Sequence, residues 1–163
     1  MKRFLLLFVA VCASFYVMSE DSEEVDAVES YSGSCGDNVT FVFETSTGDL
    51  ILGGFGEMDD FYYSSPWYSY SNFVKTVVVS DSITSIGEYA FYGCTALTSV
   101  ALPDSITSIG ESAFENCASL TSVIIPDSVT YIGDEAFRKC TSLLSVTLGD
   151  SIKSIGDYAF FNC

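Results

Sequence analysis

The chain of 163 residues fits a single domain, and its 22 acidic residues against 6 basic ones give a net charge of −16. Such a surface repels phosphate backbones and anionic headgroups, which argues against nucleic acid and passive membrane adsorption. Because the sequence contains no histidine, it lacks the commonest general base and metal ligand, and we expect neither catalysis nor a cofactor or metal site.

The first predicted element is a secretory signal peptide over residues 1–19. The basic start MKR precedes the apolar stretch FLLLFVAVCASFYVM, and the small residues Ala13 and Ser19 offer cleavage points. The alternative is a membrane anchor, but the stretch of 15 residues is shorter than the roughly 20 that a bilayer requires. We therefore expect a secreted or cell-surface location, with no membrane insertion after cleavage.

The next two predicted sections are a flexible acidic leader over residues 20–34 and an N-terminal cap over residues 35–73. The leader, EDSEEVDAVESYSGS, has little to bury. The cap begins with NVTFVFETSTGDLILGGF (38–55), whose apolar residues flank a Ser-Thr-Gly turn and predict a β-hairpin. Asn38 opens the only N-glycosylation sequon, and it is a candidate acceptor in a eukaryotic secretory route.

The cap continues with an aromatic cluster, which has two interpretations. The cluster immediately precedes a repeat array, whose first turn needs shielding from water, so capping is favoured. Tyrosine and tryptophan also dominate binding hot spots, so a recognition patch is the alternative. The cluster consists of Tyr62, Tyr63, Trp67, Tyr68 and Tyr70.

From Val74 to its last residue, the chain repeats with a period of 23 residues. SITSIGEYAFYGC (82–94) returns three times with few changes. Self-similarity at this period predicts a solenoid, in which neighbouring repeats bury one another. The positions in register are Asp81, Asp104, Asp127 and Asp150; Gly87, Gly110, Gly133 and Gly156; Phe91, Phe114, Phe137 and Phe160; and Cys94, Cys117, Cys140 and Cys163.

Each repeat is predicted to contribute one parallel strand and one short helical turn. LTSVALP (97–103) follows the pattern LxxLxL of a repeat strand, and VKTVVVS (74–80) supplies an earlier strand of the same kind. Ala113, Phe114 and Cys117 are spaced to share one face of a helical turn. An acidic residue starts each turn, where a helix dipole favours negative charge.

The repeat unit LxxVxLPxSIxxIGxxAFxxC resembles the BspA-like subfamily of leucine-rich repeats. Upstream, CGDNVTFVF, GDLILGGFGEM and SPWYSYSNFVKTVVV are similar to the leader of such proteins, so the resemblance covers residues 35–163. It implies a leucine-rich-repeat solenoid over residues 74–163, in a secreted or surface-displayed protein of a mucosal bacterium or parasitic protist that adheres to host proteins or other cells. The family carries no catalytic motif. Its members typically have more repeats and a terminal segment, whereas this chain stops inside its fourth copy.

The cysteine column has three interpretations. Stacking at about 4.8 Å would bring adjacent cysteines within the separation that a disulfide needs, but side chains in register point parallel and not at each other. The spacing of 23 residues matches no zinc motif. Free buried thiols are favoured, with a disulfide between repeats and a metal as the alternatives.

The aspartate column has two interpretations. Stacked carboxylates suit calcium, but the sequence contains no calcium-binding motif. An Asx-type turn, in which each aspartate caps its own backbone, is favoured instead. Elsewhere, the adjacent Asp59 and Asp60 are not the opposed, well-separated pair that glycoside cleavage requires.

The candidate binding site is the outward face of the repeat strands, the usual concave surface of such repeats. Its side chains are small and mostly uncharged, which permits close approach of a partner strand or a glycan. A featureless solvated sheet is the alternative, because the face shows no anchor residue. The residues are Thr76, Val78, Ser99, Ala101, Ser122, Ile124, Ser145 and Thr147.

These observations predict a protein-binding or adhesion module for extracellular or host-surface proteins, or for glycans, in which weak contacts add over several repeats. The alternative is a structural repeat unit or a fragment of a longer surface protein. In that case an uncapped C-terminal end, with Phe160 and a strand edge at 143–148 exposed, is expected to drive self-association.

Overall fold

The computed structural model describes residues 29–163, and in this range the chain forms short β-strands and one 3-10 helix. The predicted signal peptide (1–19) and residues 20–28 of the predicted leader lie outside the described residues. No helix within 29–163 is long and apolar enough to cross a membrane. The strands are β1 (Ser30–Ser34), β2 (Val39–Glu44), β3 (Asp49–Gly54), β4 (Gly56–Glu57), β5 (Thr76–Val79), β6 (Ile83–Ile86), β7 (Ser99–Ala101), β8 (Ser108–Ile109), β9 (Ser122–Ile124), β10 (Tyr131–Ile132), β11 (Ser145–Thr147) and β12 (Ser154–Ile155), and the 3-10 helix covers Tyr68–Phe73.

The strands wind into a β-solenoid of about five turns, which confirms the predicted leucine-rich-repeat architecture. The first sheet has the order β1-β2-β3-β5-β7, and β9 and β11 follow as a parallel pair beside β7. The second sheet has the order β4-β6-β8-β10-β12 and is parallel throughout. The sequence pattern does not predict this second strand of each repeat, because strands such as β8 contain only two residues.

The predicted N-terminal hairpin is present, and it joins the repeat sheet directly. β2 and β3 pair antiparallel, and β3 then pairs parallel with β5. The prediction of a flexible leader is wrong over its last residues, because Ser30–Ser34 form β1 and pair with β2. Tyr31 of β1 stacks on Tyr70 with ring centroids 4.5 Å apart, so an aromatic contact fixes an otherwise polar strand.

A single file of aromatic rings runs through the interior. Ring centroids are 5.0 Å apart for Phe91–Phe114, 5.1 Å for Phe114–Phe137 and 5.3 Å for Phe137–Phe160. Trp67 extends the file at its N-terminal end, 5.7 Å from Phe91. The predicted phenylalanine column is therefore confirmed, and together with the isoleucine, alanine and cysteine columns it forms one continuous core.

The turn that precedes each cysteine is not helical, so this part of the prediction is wrong. Phe114 and its neighbours are buried as expected, but they lie in consecutive tight turns, where Ser112 and Asn116 have φ values of 50° and 62°. The Phe114 amide donates to the Ala136 carbonyl of the next repeat at 2.7 Å, and not to a carbonyl four residues back. Alternate amides of each turn bond to the next repeat in this way, and these bonds replace the helix.

The glycine column lets successive turns approach closely. A Cβ at Gly110 would lie 2.7 Å from the amide nitrogen of Glu88, and a Cβ at Gly133 would lie 2.6 Å from that of Glu111. Both contacts are with backbone atoms, which cannot rotate away. Glycine is therefore required at this repeat position by the packing of one turn on the next.

Candidate binding site

The predicted binding residues lie together on the outward side of the first sheet. In β5 and β9, Val78 and Ile124 are exposed, whereas the adjacent Val77 and Val123 are buried. Neighbouring strands are in register, so equivalent residues of different repeats stand side by side. The paired residues are Thr76 with Ser99, Val78 with Ala101, Ser122 with Ser145, and Ile124 with Thr147.

This outward side is wider than predicted, because the N-terminal hairpin adds to it. β3 pairs with β5, which sets Ile51 beside Val78 and Asp49 beside Thr76. Ile51 is exposed, although the residues on either side of it are buried. The sequence does not reveal its outward position, because Leu50-Ile51-Leu52 reads as one apolar run. The alternation in the partner strand β2 is the signal that could have assigned it.

Two rows of different chemistry run across this surface, and we call them together the strand face. One row is apolar or carries methyl groups, and it consists of Ile51, Val78, Ala101, Ile124 and Thr147. The other row is polar and consists of Asp49, Thr76, Ser99, Ser122 and Ser145. The Thr76 hydroxyl donates to the Asp49 carboxylate. Hydrogen bonds from Thr76 and Thr47 lower the pKa of Asp49, so the polar row ends in a stable negative charge.

The aromatic cluster is divided between the interior and the surface. Trp67 is buried, covers the first ring of the aromatic file, and donates its Nε1 hydrogen to the Ala90 carbonyl at 2.8 Å. Tyr70 packs against aromatic rings of β1 and β2. The capping prediction is confirmed for these two residues. It does not hold for the remaining residues of the cluster, which are exposed: Tyr62, Tyr63 and Tyr68.

The cysteine column consists of free thiols within the described range; Cys94, Cys117 and Cys140 are buried, as favoured, whereas Cys163 is exposed. The Cys117 thiol donates to the Phe91 carbonyl at 3.3 Å, and the Cys140 thiol donates to the Phe114 carbonyl at 3.2 Å. Burial raises the pKa of Cys94 to about 12. The Cys94 thiol is therefore a protonated core group and a poor nucleophile, and the Cys117 and Cys140 thiols join adjacent repeats.

The aspartate column also joins repeats, so the predicted self-capping turn is wrong at Asp127. Its Oδ1 accepts a hydrogen bond from the Asp150 amide of the next repeat at 3.1 Å. Asp134, one of the acidic residues that start a turn, accepts from the Asp157 amide at 2.8 Å. This contact, and not a helix dipole, accounts for the acidic residue there. Within residues 29–163 no three or more His, Cys, Asp or Glu side chains are arranged so that they could hold a metal ion.

Asn38, the candidate glycosylation site, immediately precedes β2 and is exposed. Its main-chain carbonyl accepts a hydrogen bond from the Phe55 amide at 3.1 Å, and Thr40 of the sequon is exposed as well. The backbone is thus fixed while the side chain faces solvent. Glycosylation of Asn38 stays a prediction.

The parallel strands, the period and the stacked rings define a leucine-rich-repeat solenoid. Residues 64–163 match six copies of the BspA type leucine-rich repeat region, and the chain belongs to this family. The family predicted from the repeat unit is therefore confirmed. No curated protein matches the sequence.

Solved leucine-rich repeat proteins share this fold. One from Bacteroides ovatus is 31% identical, with a TM-score of 0.60, over 71% of this chain and 34% of that one. The T. pallidum leucine-rich repeat protein is 27% identical, with a TM-score of 0.59, over 80% of this chain and 68% of that one. One from Eubacterium ventriosum is 23% identical, with a TM-score of 0.57, over 77% of this chain and 43% of that one. The chain thus spans less than half of the Bacteroides and Eubacterium proteins.

Proposed function

We propose that the chain is exported and acts as a protein-binding or adhesion module through its strand face. The observation that carries the proposal is a row of outward apolar side chains that crosses five strands from Ile51 to Thr147. Ile124, near the centre of the described repeats, is 68% exposed. The core does not require apolar residues at these outward positions, and a contiguous exposed apolar row with a polar border is typical of an interaction site.

The polar row gives the strand face a second kind of contact. Ser99, Ser122 and Ser145 present hydroxyl groups at the strand spacing of about 4.8 Å, which suits hydrogen bonds to an extended chain or a glycan. Each repeat contributes a weak contact, and the contacts add because the repeats are held rigidly together. The proposal includes no catalytic role, in keeping with the lack of histidine in the sequence.

Ile124→Lys tests this proposal, because it places a charge in the apolar row without entering the core. We expect retention of the purified protein on immobilised basement-membrane proteins, or on epithelial cells, to fall about tenfold. Tyr131→Lys is the matched control, because Tyr131 is exposed on the second sheet. Unchanged retention of Ile124→Lys, or retention of the parent protein no greater than that of a scrambled control, would contradict the proposal.

Export rests on residues 1–19, whose basic start and apolar stretch are those of a signal peptide. Expression in a secretory host followed by N-terminal sequencing tests it. We expect a mature protein in the medium that begins shortly after Ala13 or Ser19. A chain that retains Met1 and stays in the membrane fraction would oppose this part of the proposal.

Self-association is a second candidate function, favoured by an exposed leucine on the outer side of the repeats. Leu144 is 88% exposed at an outward repeat position where Thr98 and Thr121 are exposed as well. Contact between two copies would remove this apolar surface from water. We expect sedimentation equilibrium to show concentration-dependent association that Leu144→Asp weakens. A sharp monomer peak of the parent protein at high concentration would argue against it.

A further inference from the structure

Four tyrosines form a cluster on the turns of the solenoid and the loop that precedes them, and not on the strands of the strand face. The ring centroid of Tyr63 lies 4.3 Å from that of Tyr89 and 4.7 Å from that of Tyr92. Tyr62 lies 6.3 Å from Tyr89. We call these four residues the tyrosine surface.

The folding of the repeats does not explain the tyrosine surface. The repeat positions of Tyr89 and Tyr92 hold a serine and a glutamate in the next repeat, so the turn does not need tyrosine there. Tyr62 and Tyr63 have φ values of 43° and 69°, a region that costs conformational free energy for residues other than glycine. Their side chains remain 69% and 50% exposed, so burial offsets little of that cost.

Carboxylates border the tyrosine surface. The Tyr89 hydroxyl donates to Glu111 Oε1 at 2.8 Å. The amide of Glu88, the residue before Tyr89, donates to Asp60 Oδ1 at 2.9 Å. Burial and the charges of Asp60 and Glu111 raise the pKa of Glu88. Asp60 and Glu111 therefore both repel the Glu88 carboxylate, and a cation bound beside Glu88 would relieve that repulsion.

Basic side chains of the neighbouring repeats are balanced by other acids. Arg138 and Lys139 lie 3.5 Å and 3.2 Å from Oε1 of the buried Glu115. Arg138 also pairs with Glu135 at 2.6 Å. These ion pairs hold Arg138 and Lys139 against acidic side chains. Arg138 also lies close enough to Tyr92 to oppose the rise of that tyrosine's pKa, so of these two basic residues it is the one at the edge of the tyrosine surface.

We propose that the tyrosine surface binds an arginine-rich segment of a partner protein. A guanidinium group gains from a tyrosine ring when it lies over the ring face within about 6 Å of the centroid, and Tyr62 and Tyr63 expose their rings. The planar guanidinium also donates hydrogen bonds in pairs to carboxylates, which the lysine ammonium does not. Asp60, Glu88 and Glu111 supply those carboxylates. Charge complementarity thus defines the partner.

Fluorescence anisotropy of a labelled peptide of alternating arginine and glycine, titrated with the purified protein, tests this proposal. A peptide with citrulline in place of each arginine is the matched ligand control, because citrulline keeps the shape and lacks the charge. We expect the arginine peptide to bind and the citrulline peptide not to bind. Affinity should fall as salt rises from about 0.01 M to about 1 M, because the Debye length shortens from about 30 Å to about 3 Å.

Two variants connect this binding to the tyrosine surface. Tyr63→Ala should weaken binding about two- to fivefold, the effect of one exposed cation–π contact, and Glu111→Gln should weaken it about twofold or more. Tyr158→Ala is the matched control, because Tyr158 occupies the repeat position of Tyr89 but contacts Phe161. The strand-face variant Ile124→Lys should also bind the peptide unchanged. A failure of the strand-face proposal can therefore be distinguished from a failure of the tyrosine-surface proposal.

Equal affinity for the arginine and citrulline peptides would overturn the proposal, and so would a loss in Tyr158→Ala as large as that in Tyr63→Ala. A neutral oligosaccharide that binds through Tyr63, with no binding of the arginine peptide, would overturn it in favour of a glycan site. Thermal unfolding of each variant should match that of the parent protein. If Tyr63→Ala alters the fold, Glu111→Gln, which preserves side-chain shape, still decides the outcome.

Discussion

Phe114 lies in the middle of the aromatic file and contacts a ring on each side. Its centroid is 5.0 Å from that of Phe91 and 5.1 Å from that of Phe137, and its side chain is fully buried. Phe114→Ala removes both contacts and leaves a cavity that the stacked repeats cannot close. We expect the free energy of unfolding to fall by about 3–5 kcal/mol, as measured by urea unfolding followed by circular dichroism.

Phe161→Ala is the control for this prediction, because Phe161 is an exposed phenylalanine of the same array. Its loss removes little buried surface, so we expect a change of about 1 kcal/mol or less. Equal losses for the two variants would mean that the aromatic file contributes nothing beyond ordinary apolar surface.

Cys94 makes stability depend on pH in the alkaline range. Burial raises the pKa of its thiol in the folded protein from 9.0 to about 12. Between these values the unfolded chain loses the proton that the folded protein keeps. The stability contributed by the neutral thiol is therefore present below about pH 9 and is lost as the pH rises toward 12. We expect the melting temperature of Cys94→Ala to fall less steeply than that of the parent protein over this range, and parallel curves would refute the assignment.

At the scale of the element, hydrogen bonds between repeats determine the structure of the turn that precedes each cysteine. The sequence pattern within one repeat does not show them. The spacing that buries Phe114 is shared by a helical turn and by consecutive tight turns. What distinguishes them is the left-handed backbone at Ser112 and Asn116 and an amide that bonds to Ala136 in the next repeat. Gly93, with a φ of 71° at the repeat position of Asn116, is a partial signal for one left-handed residue, but nothing within one repeat indicates the hydrogen bond to the next. The burial of these residues could be predicted from the sequence, but the element that they form could not.

Gly110 tests how closely the turns must approach. The Cβ of an alanine there would lie 2.7 Å from the Glu88 amide nitrogen, so the turns must separate. We expect Gly110→Ala to lower the free energy of unfolding by roughly 1–3 kcal/mol, as measured by urea unfolding.

Gly93→Asn is the matched control for the glycine prediction. Nothing lies within 4 Å of a Cβ at Gly93, whose φ is 71°, and asparagine adopts a φ of 62° at the equivalent Asn116. We therefore expect Gly93→Asn to cost little. A larger loss for Gly93→Asn than for Gly110→Ala would show that backbone conformation, and not close approach, governs these turns.

At the scale of the whole molecule, the period of 23 residues determines which side chains stand side by side. For that reason the aromatic file and the paired residues of the strand face could be predicted from the sequence. The residues that precede the repeats occur only once in the sequence, so no second copy indicates which of their positions are buried. The pairing of β1, the outward position of Ile51 and the division of the aromatic cluster depend on contacts that occur once, so the sequence could not reveal them.

Deletion of residues 104–126 tests this architecture as a whole. The deletion removes one period and joins Pro103 to Asp127, which restores the Leu-Pro-Asp-Ser sequence of the parent chain at the junction. Phe91 would then stack on Phe137, because each repeat contacts only its neighbours. We expect a shorter protein that still unfolds cooperatively in urea and keeps the strand signal in its circular dichroism spectrum.

The electrostatic cost of this deletion is small, because the basic partners of the deleted Glu115 are partly exposed and Arg138 keeps Glu135 at 2.6 Å. Deletion of residues 110–120 is the control. It removes fewer residues but not a whole period, so the glycine and phenylalanine columns lose their register and the core cannot close. We expect this second chain not to fold. If the deletion of 104–126 disrupts the circular dichroism spectrum as severely, the repeats do not act as separable units, and the stacking account of stability is wrong.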